Sequence, residues 1–98
     1  FKPHTFTRAA ALFDAFAKSF RGAERVCLLP IYGAREENVT GVSSREMAVK
    51  TLEYVANAQY FDSHQSLEEN LRDTLVPGEV LIVMGAGDVT LISESLTK

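Results

Sequence analysis

Two hydrophobic spacings alternate along this chain of 98 residues, and that alternation admits few architectures. Over residues 6–20, Phe6, Ala9, Ala10, Phe13, Phe16, Ala17 and Phe20 recur as one face of a helix. Thr5 or Thr7 is placed to cap it, and Gly22 to stop it. Val26-Cys27-Leu28-Leu29-Pro30-Ile31 is then an unbroken apolar run, as in a strand buried on both faces. Pro30 has no N–H for a ladder and belongs at the strand's end or at an edge. Residues 32–43 read as a loop punctuated by Gly33, Asn38 and Gly41. Ser43 or Ser44 caps a second helix, with Glu46 in the capping-box position after Ser43. Met47, Val49, Leu52, Val55 and Ala56 carry that helix toward Asn57. Gln59-Tyr60-Phe61-Asp62 predicts a short strand. Ser66 is expected to cap a third helix through Leu75, with Leu67, Leu71, Leu75 and Val76 facing inward. Pro77-Gly78 ends it, and Val80-Leu81-Ile82-Val83-Met84 is the strongest strand signal of the chain. Gly85-Ala86-Gly87-Asp88 reads as a tight turn with Asp88 as an N-cap, before a closing helix over residues 89–96.

Helices alternating with strands imply an α/β fold: a Rossmann-like, three-layer parallel sheet with helices on both faces. Residues 1–98 form one domain, without a repeat or a linker. In such a sheet the first strand tends to be central, yet only Phe1 and Lys2 precede Pro3. The first strand is therefore expected to be largely missing from this chain, which reads as cropped just after or within it.

Composition removes several function classes. A net charge of -3 and a pI near 5.3 disfavour nucleic acid as a partner. A single cysteine forms no internal disulfide and suits a reducing, cytoplasmic setting. No apolar run approaches the ~20 residues of a membrane span, and the first residues lack the apolar centre of a signal peptide.

Ligands of open α/β sheets bind beyond the carboxyl ends of the strands. There the sequence places His4, Thr5, Thr7 and Arg8, then Tyr32 to Glu37, then Asp62, Ser63 and His64, then the turn from Gly85 to Asp88. Arg8 or Arg35 could hold an anion at such a rim. Gly85 and Gly87 match two glycines of a dinucleotide fingerprint, but after the last strand rather than the first. They fit a strand-to-helix turn better than an NAD site. Cys27, inside an apolar strand, reads as a buried and inert thiol. Glu36 and Glu37 read as solvated loop charges, and His64 as a surface or capping residue. No metal-ligand spacing, phosphate loop or Ser/His/Asp grouping is visible.

Three rim segments occur together and in order: Phe1-Lys2-Pro3-His4-Thr5-Phe6-Thr7-Arg8, Ile31-Tyr32-Gly33-Ala34-Arg35-Glu36 with Gly41-Val42-Ser43-Ser44, and Met84-Gly85-Ala86-Gly87-Asp88. Together they resemble the C-terminal domain of the Mur ligases of peptidoglycan synthesis, in the branch that joins L-alanine to UDP-N-acetylmuramate. The resemblance runs over the whole chain, and its first motif is the most specific. It implies an ATP-dependent acid–amino-acid ligase of three domains: a UDP-substrate domain, a central ATPase, and this closing domain. The reaction so implied activates the muramoyl carboxylate as an acyl phosphate, which the amine of L-alanine attacks. ATP and Mg2+ are then expected mainly on the central domain, so that this chain alone catalyses nothing.

Carried over by position, the resemblance makes His4 the catalytic candidate, orienting substrate or donating to a developing oxyanion. Arg8 would take the alanine carboxylate or a phosphate oxygen. Tyr32, Ala34, Arg35, Gly85, Ala86 and Gly87 would line the substrate cleft, and no residue is assigned to metal. Thr5 stands where some members place an arginine, and Lys2 where glutamine is more usual. The alternatives are the related ligase that recycles murein tripeptide, and a non-catalytic Rossmann-like module for a nucleotide or a protein. An NAD-dependent enzyme would need a first-strand fingerprint that this chain lacks.

Overall fold

The computed structural model describes residues 1–33, 36–85 and 87–97. Its two named strands, β1 (Val26–Leu28) and β2 (Ala58–Tyr60), pair in parallel with Val26 opposite Ala58 and Leu28 opposite Tyr60. The other edge of β1 is taken by the opening segment, residues 1–5. The Phe1 ammonium donates to the Cys27 carbonyl at 2.6 Å, and the Leu29 N–H donates to the Phe1 carbonyl at 2.9 Å. Across the opening segment, the Lys2 N–H donates to the Met84 carbonyl at 3.2 Å, and Lys2 bridges Gly85 in parallel. Four backbone segments thus lie side by side, in the order β2, β1, opening segment, residues 84–85. The opening segment is central.

Side chains alternate across β1, so one short strand serves two cores. Val26 and Leu28 join Ala9, Val42, Met47, Ala48 and Val55 beneath α1 (Phe6–Ala11), α2 (Phe13–Ser19) and α3 (Ser44–Thr51). Leu29, with Cys27 packed alongside, joins Leu67, Leu71, Val89 and Ile92 beneath α4 (His64–Thr74) and α5 (Thr90–Leu96). Helices therefore cover both faces of a parallel sheet, as the alternation of periods implies. Arg72 ties α4 to α5, donating to the Ser95 carbonyl at 2.8 Å and to its hydroxyl at 3.0 Å.

Several boundaries differ from the sequence reading. The helix over residues 6–20 is broken at Leu12 (φ -109°, ψ 18°) into α1 and α2. Both halves keep the aromatic stripe on the core, and the Phe1 ring packs against Phe16 and Phe20 at 5.2 and 5.4 Å. α3 stops at Thr51 rather than near Asn57, because the chain then tightens into turns. The N–H groups of Glu53 and Tyr54 reach back three residues, at 3.1 and 2.9 Å. Ser43 is the α3 cap, accepting the Glu46 N–H at 3.1 Å. Ser63, not Ser66, caps α4, since its hydroxyl accepts the Ser66 N–H at 3.1 Å. Val76 is exposed rather than inward: Pro77 disfavours the helical region for the residue before it, and the chain leaves α4 at Thr74. Asp88 does not cap α5, whose N-cap is Val89; the Asp88 carboxylate instead lies 3.6 Å from His64 Nε2.

The largest difference is at residues 80–84. The run is not a ladder strand, and Val80 and Ile82 are 86% and 69% exposed. Its neighbour is the opening segment, which begins opposite Cys27 and meets this run only at Met84 and Gly85. A hydrophobic pattern names a strand, but pairing needs backbone alongside it.

Candidate functional site

Two prolines shape the rim. A regular parallel ladder would next bond the N–H of residue 3 to the Leu29 carbonyl, but Pro3 has none. The Tyr32 N–H reaches the Pro3 carbonyl at 2.8 Å instead, and the Thr5 N–H reaches the Tyr32 carbonyl at 2.7 Å. The β1 side thereby spends one residue more than the opening segment, a bulge placed around Pro30. It puts Tyr32 directly beside His4: the two residues bridge in parallel, and their rings stack with centroids 5.7 Å apart and an interplanar angle of 24°. Both side chains are largely exposed, at the carboxyl ends of the central segments.

Gly87 completes this corner. A Cβ built there would sit 3.4 Å from Tyr32 Cδ2, so the turn passes close over the tyrosine ring. Gly85 lies against the Lys2 backbone at φ 131°. His4, Tyr32, Gly85 and Gly87 are thus brought to one edge. Arg8 is exposed in the first turns of α1, which starts two residues past His4. Ala34, Arg35 and Ala86, the other cleft candidates, lie outside the described residues.

The turn from His4 into α1 is held tightly. Thr5 takes φ 57° and ψ 143°, the one positive φ outside glycine among the described residues. Such a conformation costs on the order of 1–3 kcal/mol and persists where its surroundings over-determine it. Here they do. The Thr5 hydroxyl accepts the Arg8 N–H at 3.3 Å, and the Phe6 ring lies where a side chain on Gly33 would be.

Glu36 is the residue that sequence reasoning missed. Read as a solvated charge, it instead accepts from the Thr7 N–H at 3.1 Å and from the Thr7 hydroxyl at 2.8 Å. Those bonds clamp the loop after Tyr32 onto the first turn of α1. The signal available was position alone, since Glu36 follows Tyr32 in the second rim motif. The hydroxyl bond from Thr7, then its N–H, hold the Glu36 carboxyl below its ordinary 4.5. A depressed carboxylate pKa stabilises above the ordinary value and loses that contribution as pH falls through the folded value. The clamp should therefore persist at neutral pH. An NMR titration of the Thr7 amide is expected to show its inflection below pH 4.5, and Glu36→Ala should abolish it.

Cys27 stands apart from the rim, mid-sheet. Burial pushes its thiol pKa up, against the smaller opposing pull of Arg25, which makes it a poor nucleophile. Cys27→Ser is expected to lower stability by about 1 kcal/mol, by placing a hydroxyl among apolar side chains. Urea unfolding of the two proteins checks it. Among the described residues, no group of three or more His, Cys, Asp or Glu could hold a metal ion. Among them too, no helix is long and apolar enough to cross a membrane.

Fold and rim together define a class: a partial, Rossmann-like parallel α/β domain with a polar edge at the carboxyl ends of its central segments. Its relatives are more particular. The chain is 43% identical to a UDP-N-acetylmuramate–L-alanine ligase of Agathobacter rectalis over 98 residues, all of this chain and 21% of that protein. It is 38% identical over 98 residues to the ligase of that name in Acetivibrio thermocellus, again 21% of the relative. For Caldicellulosiruptor saccharolyticus the figures are 37% over 89 residues, or 91% of this chain and 20% of the relative. No protein-family model matches. These 98 residues are similar from end to end to UDP-N-acetylmuramate–L-alanine ligases and span 21% of the first relatives' length.

Proposed function

We propose that this chain is the C-terminal, closing domain of an ATP-dependent ligase that joins L-alanine to UDP-N-acetylmuramate in the cytoplasm, in peptidoglycan synthesis. The observation that carries the reading is the similarity over the whole chain to UDP-N-acetylmuramate–L-alanine ligases, 43% over all 98 residues in one of them. The rim adds chemical sense to it.

In this reading the His4–Tyr32 corner faces the reacting carboxyl group and the incoming amine. Arg8 pairs with the alanine carboxylate, because a planar guanidinium matches two oxygens at once. His4, stacked on Tyr32, orients substrate and donates a hydrogen bond to the oxygen on which charge develops. The glycines of the turn after Met84 let backbone approach where a side chain would not fit. ATP and Mg2+ are bound mainly by parts of the protein outside these 98 residues, and the isolated stretch is inactive. Closing the rim over the cleft keeps water from the activated carboxyl group.

Phosphate release by the full-length protein tests the reading, with ATP, UDP-N-acetylmuramate and an amino acid supplied. Release is expected to require all three, with L-alanine preferred to glycine or L-serine. Acceptance of a murein tripeptide in place of the amino acid would reassign the protein to the recycling ligase. No nucleotide turnover under any combination would leave the non-catalytic module standing.

A further inference from the structure

We infer that Glu36 is a positioning residue for amino-acid recognition: by holding Thr7, it fixes where the neighbouring Arg8 presents its guanidinium at the rim. The inference rests on the proposed function, in which Arg8 pairs with the alanine carboxylate. Residues 3–8 and 32–36 are fastened side by side. The Tyr32 N–H donates to the Pro3 carbonyl at 2.8 Å, and the Thr5 N–H to the Tyr32 carbonyl at 2.7 Å. The Phe6 ring fills the space beside Gly33. Glu36 makes the last contact, accepting the Thr7 N–H at 3.1 Å on one carboxylate oxygen and the Thr7 hydroxyl at 2.8 Å on the other. Its own N–H donates to the Gly33 carbonyl at 2.9 Å, so Glu36 is tied back to the residue that follows Tyr32. A chain of contacts thus runs from the His4–Tyr32 corner to Thr7, one residue short of Arg8.

Without Glu36, the start of α1 would rest on Thr5 and on the packing of Phe6. The Arg8 N–H reaches the Thr5 hydroxyl at 3.3 Å and the Ala9 N–H the Thr5 carbonyl at 3.1 Å, while Thr5 itself sits at φ 57°. A residue in that conformation keeps it only while its surroundings hold it there. A carboxylate that accepts both donors of one threonine fixes backbone and side chain together. Its negative charge suits the N-terminal end of a helix, and the Thr7 bonds keep it ionised at neutral pH by lowering its pKa. With the Thr7 and Arg8 N–H groups taken by the chain's own oxygens, an incoming carboxylate has to be met by the Arg8 side chain. A planar fork pairs with two oxygens only when it is correctly placed. In a positioned site, a displacement of about 1 Å is enough to cost ~100-fold.

Steady-state kinetics of the full-length protein test this, with Glu36→Ala, Glu36→Gln and the double variant of Glu36→Ala with Arg8→Ala. Glu36→Ala is expected to raise the KM for L-alanine by roughly tenfold, with kcat and the KM values of ATP and UDP-N-acetylmuramate little changed. Binding that is equal in ground and transition states shows in KM alone. Glu36→Gln should recover most of the loss, because its amide oxygen accepts the Thr7 N–H and its NH2 donates to the Thr7 hydroxyl oxygen. Both Thr7 donors go to Glu36, so Glu37→Ala is the control for charge alone and should change nothing. In the Arg8→Ala background, Glu36→Ala should add less than about twofold, since one residue acts through the other. Full multiplication of the two factors would overturn the inference and leave Arg8 in its role. So would an unaltered KM for L-alanine in Glu36→Ala, or a Gln variant as poor as the Ala one, which would make the effect one of charge. A fall in kcat with every KM raised would overturn it too, as a general loosening of the fold. An unaltered KM for L-alanine in Arg8→Ala alone is the separate outcome that overturns the reading of the rim, and this inference with it.

Discussion

Gly85→Ala is expected to destabilise the protein by about 2–4 kcal/mol, more than the same change at any other described glycine. Two costs combine there. Gly85 takes φ 131°, a conformation that L side chains rarely adopt, and a Cβ would collide with the Lys2 carbonyl oxygen and stand 2.7 Å from the Lys2 nitrogen. Those are backbone atoms of the central segment, already tied to Cys27, Leu29 and Tyr32, so they cannot give way as a flexible side chain would. Gly41→Ala is the control. It shares the unfavourable sign at φ 73° but meets nothing within 4 Å, so only the conformational cost of about 1 kcal/mol applies. Urea unfolding of both variants in the full-length protein separates clash from strain. Equal losses in the two would mean that residues 84–85 do not pack against the opening segment.

The alternation of hydrophobic periods told most of the architecture, because it reports which faces must be buried. Leu67 and Leu71 on α4, and Val26 and Leu28 on β1, are core residues at the spacing read from the sequence. The α3 cap was legible as Ser43 or Ser44, with Glu46 three residues after Ser43, and it is Ser43; the α4 cap was misread as Ser66 where Ser63 takes the position. The run at residues 80–84 shows the limit. Its five apolar residues carry the pattern of a strand, but pairing is a property of the neighbour, which meets only Met84 and Gly85.

At the rim, the sequence placed His4, Tyr32 and the glycine turn at strand ends, which follows from the fold alone. It did not show that His4 and Tyr32 would stack. That contact comes from the bulge around Pro30, where two prolines shift the ladder by one residue. Nor did it show that Glu36 would reach Thr7, since a carboxylate in a loop carries no period and no spacing rule. Long-range polar contacts of this kind are set by the path of the chain.

Arg8→Ala carries the second large effect. Arg8 is exposed at the start of α1, its backbone fixed by the Thr5 cap, so its loss should leave the fold intact. In the proposed function, a bidentate charge-assisted pair with the amino-acid carboxylate would contribute about 3 kcal/mol, which is ~100-fold in kcat/KM. The loss should fall on L-alanine, with the KM values of ATP and UDP-N-acetylmuramate little changed. Arg8→Lys should recover only part of it, because an ammonium cannot form the planar pair. In the proposed function this rim reads the amino acid of a ligase reaction. That role is tested most directly by the KM for L-alanine in Arg8→Ala against the unaltered full-length protein, followed by phosphate release. A rise of ~100-fold, with the unfolding midpoint unchanged, is the result expected; an unaltered KM for L-alanine in a folded, active variant would contradict it.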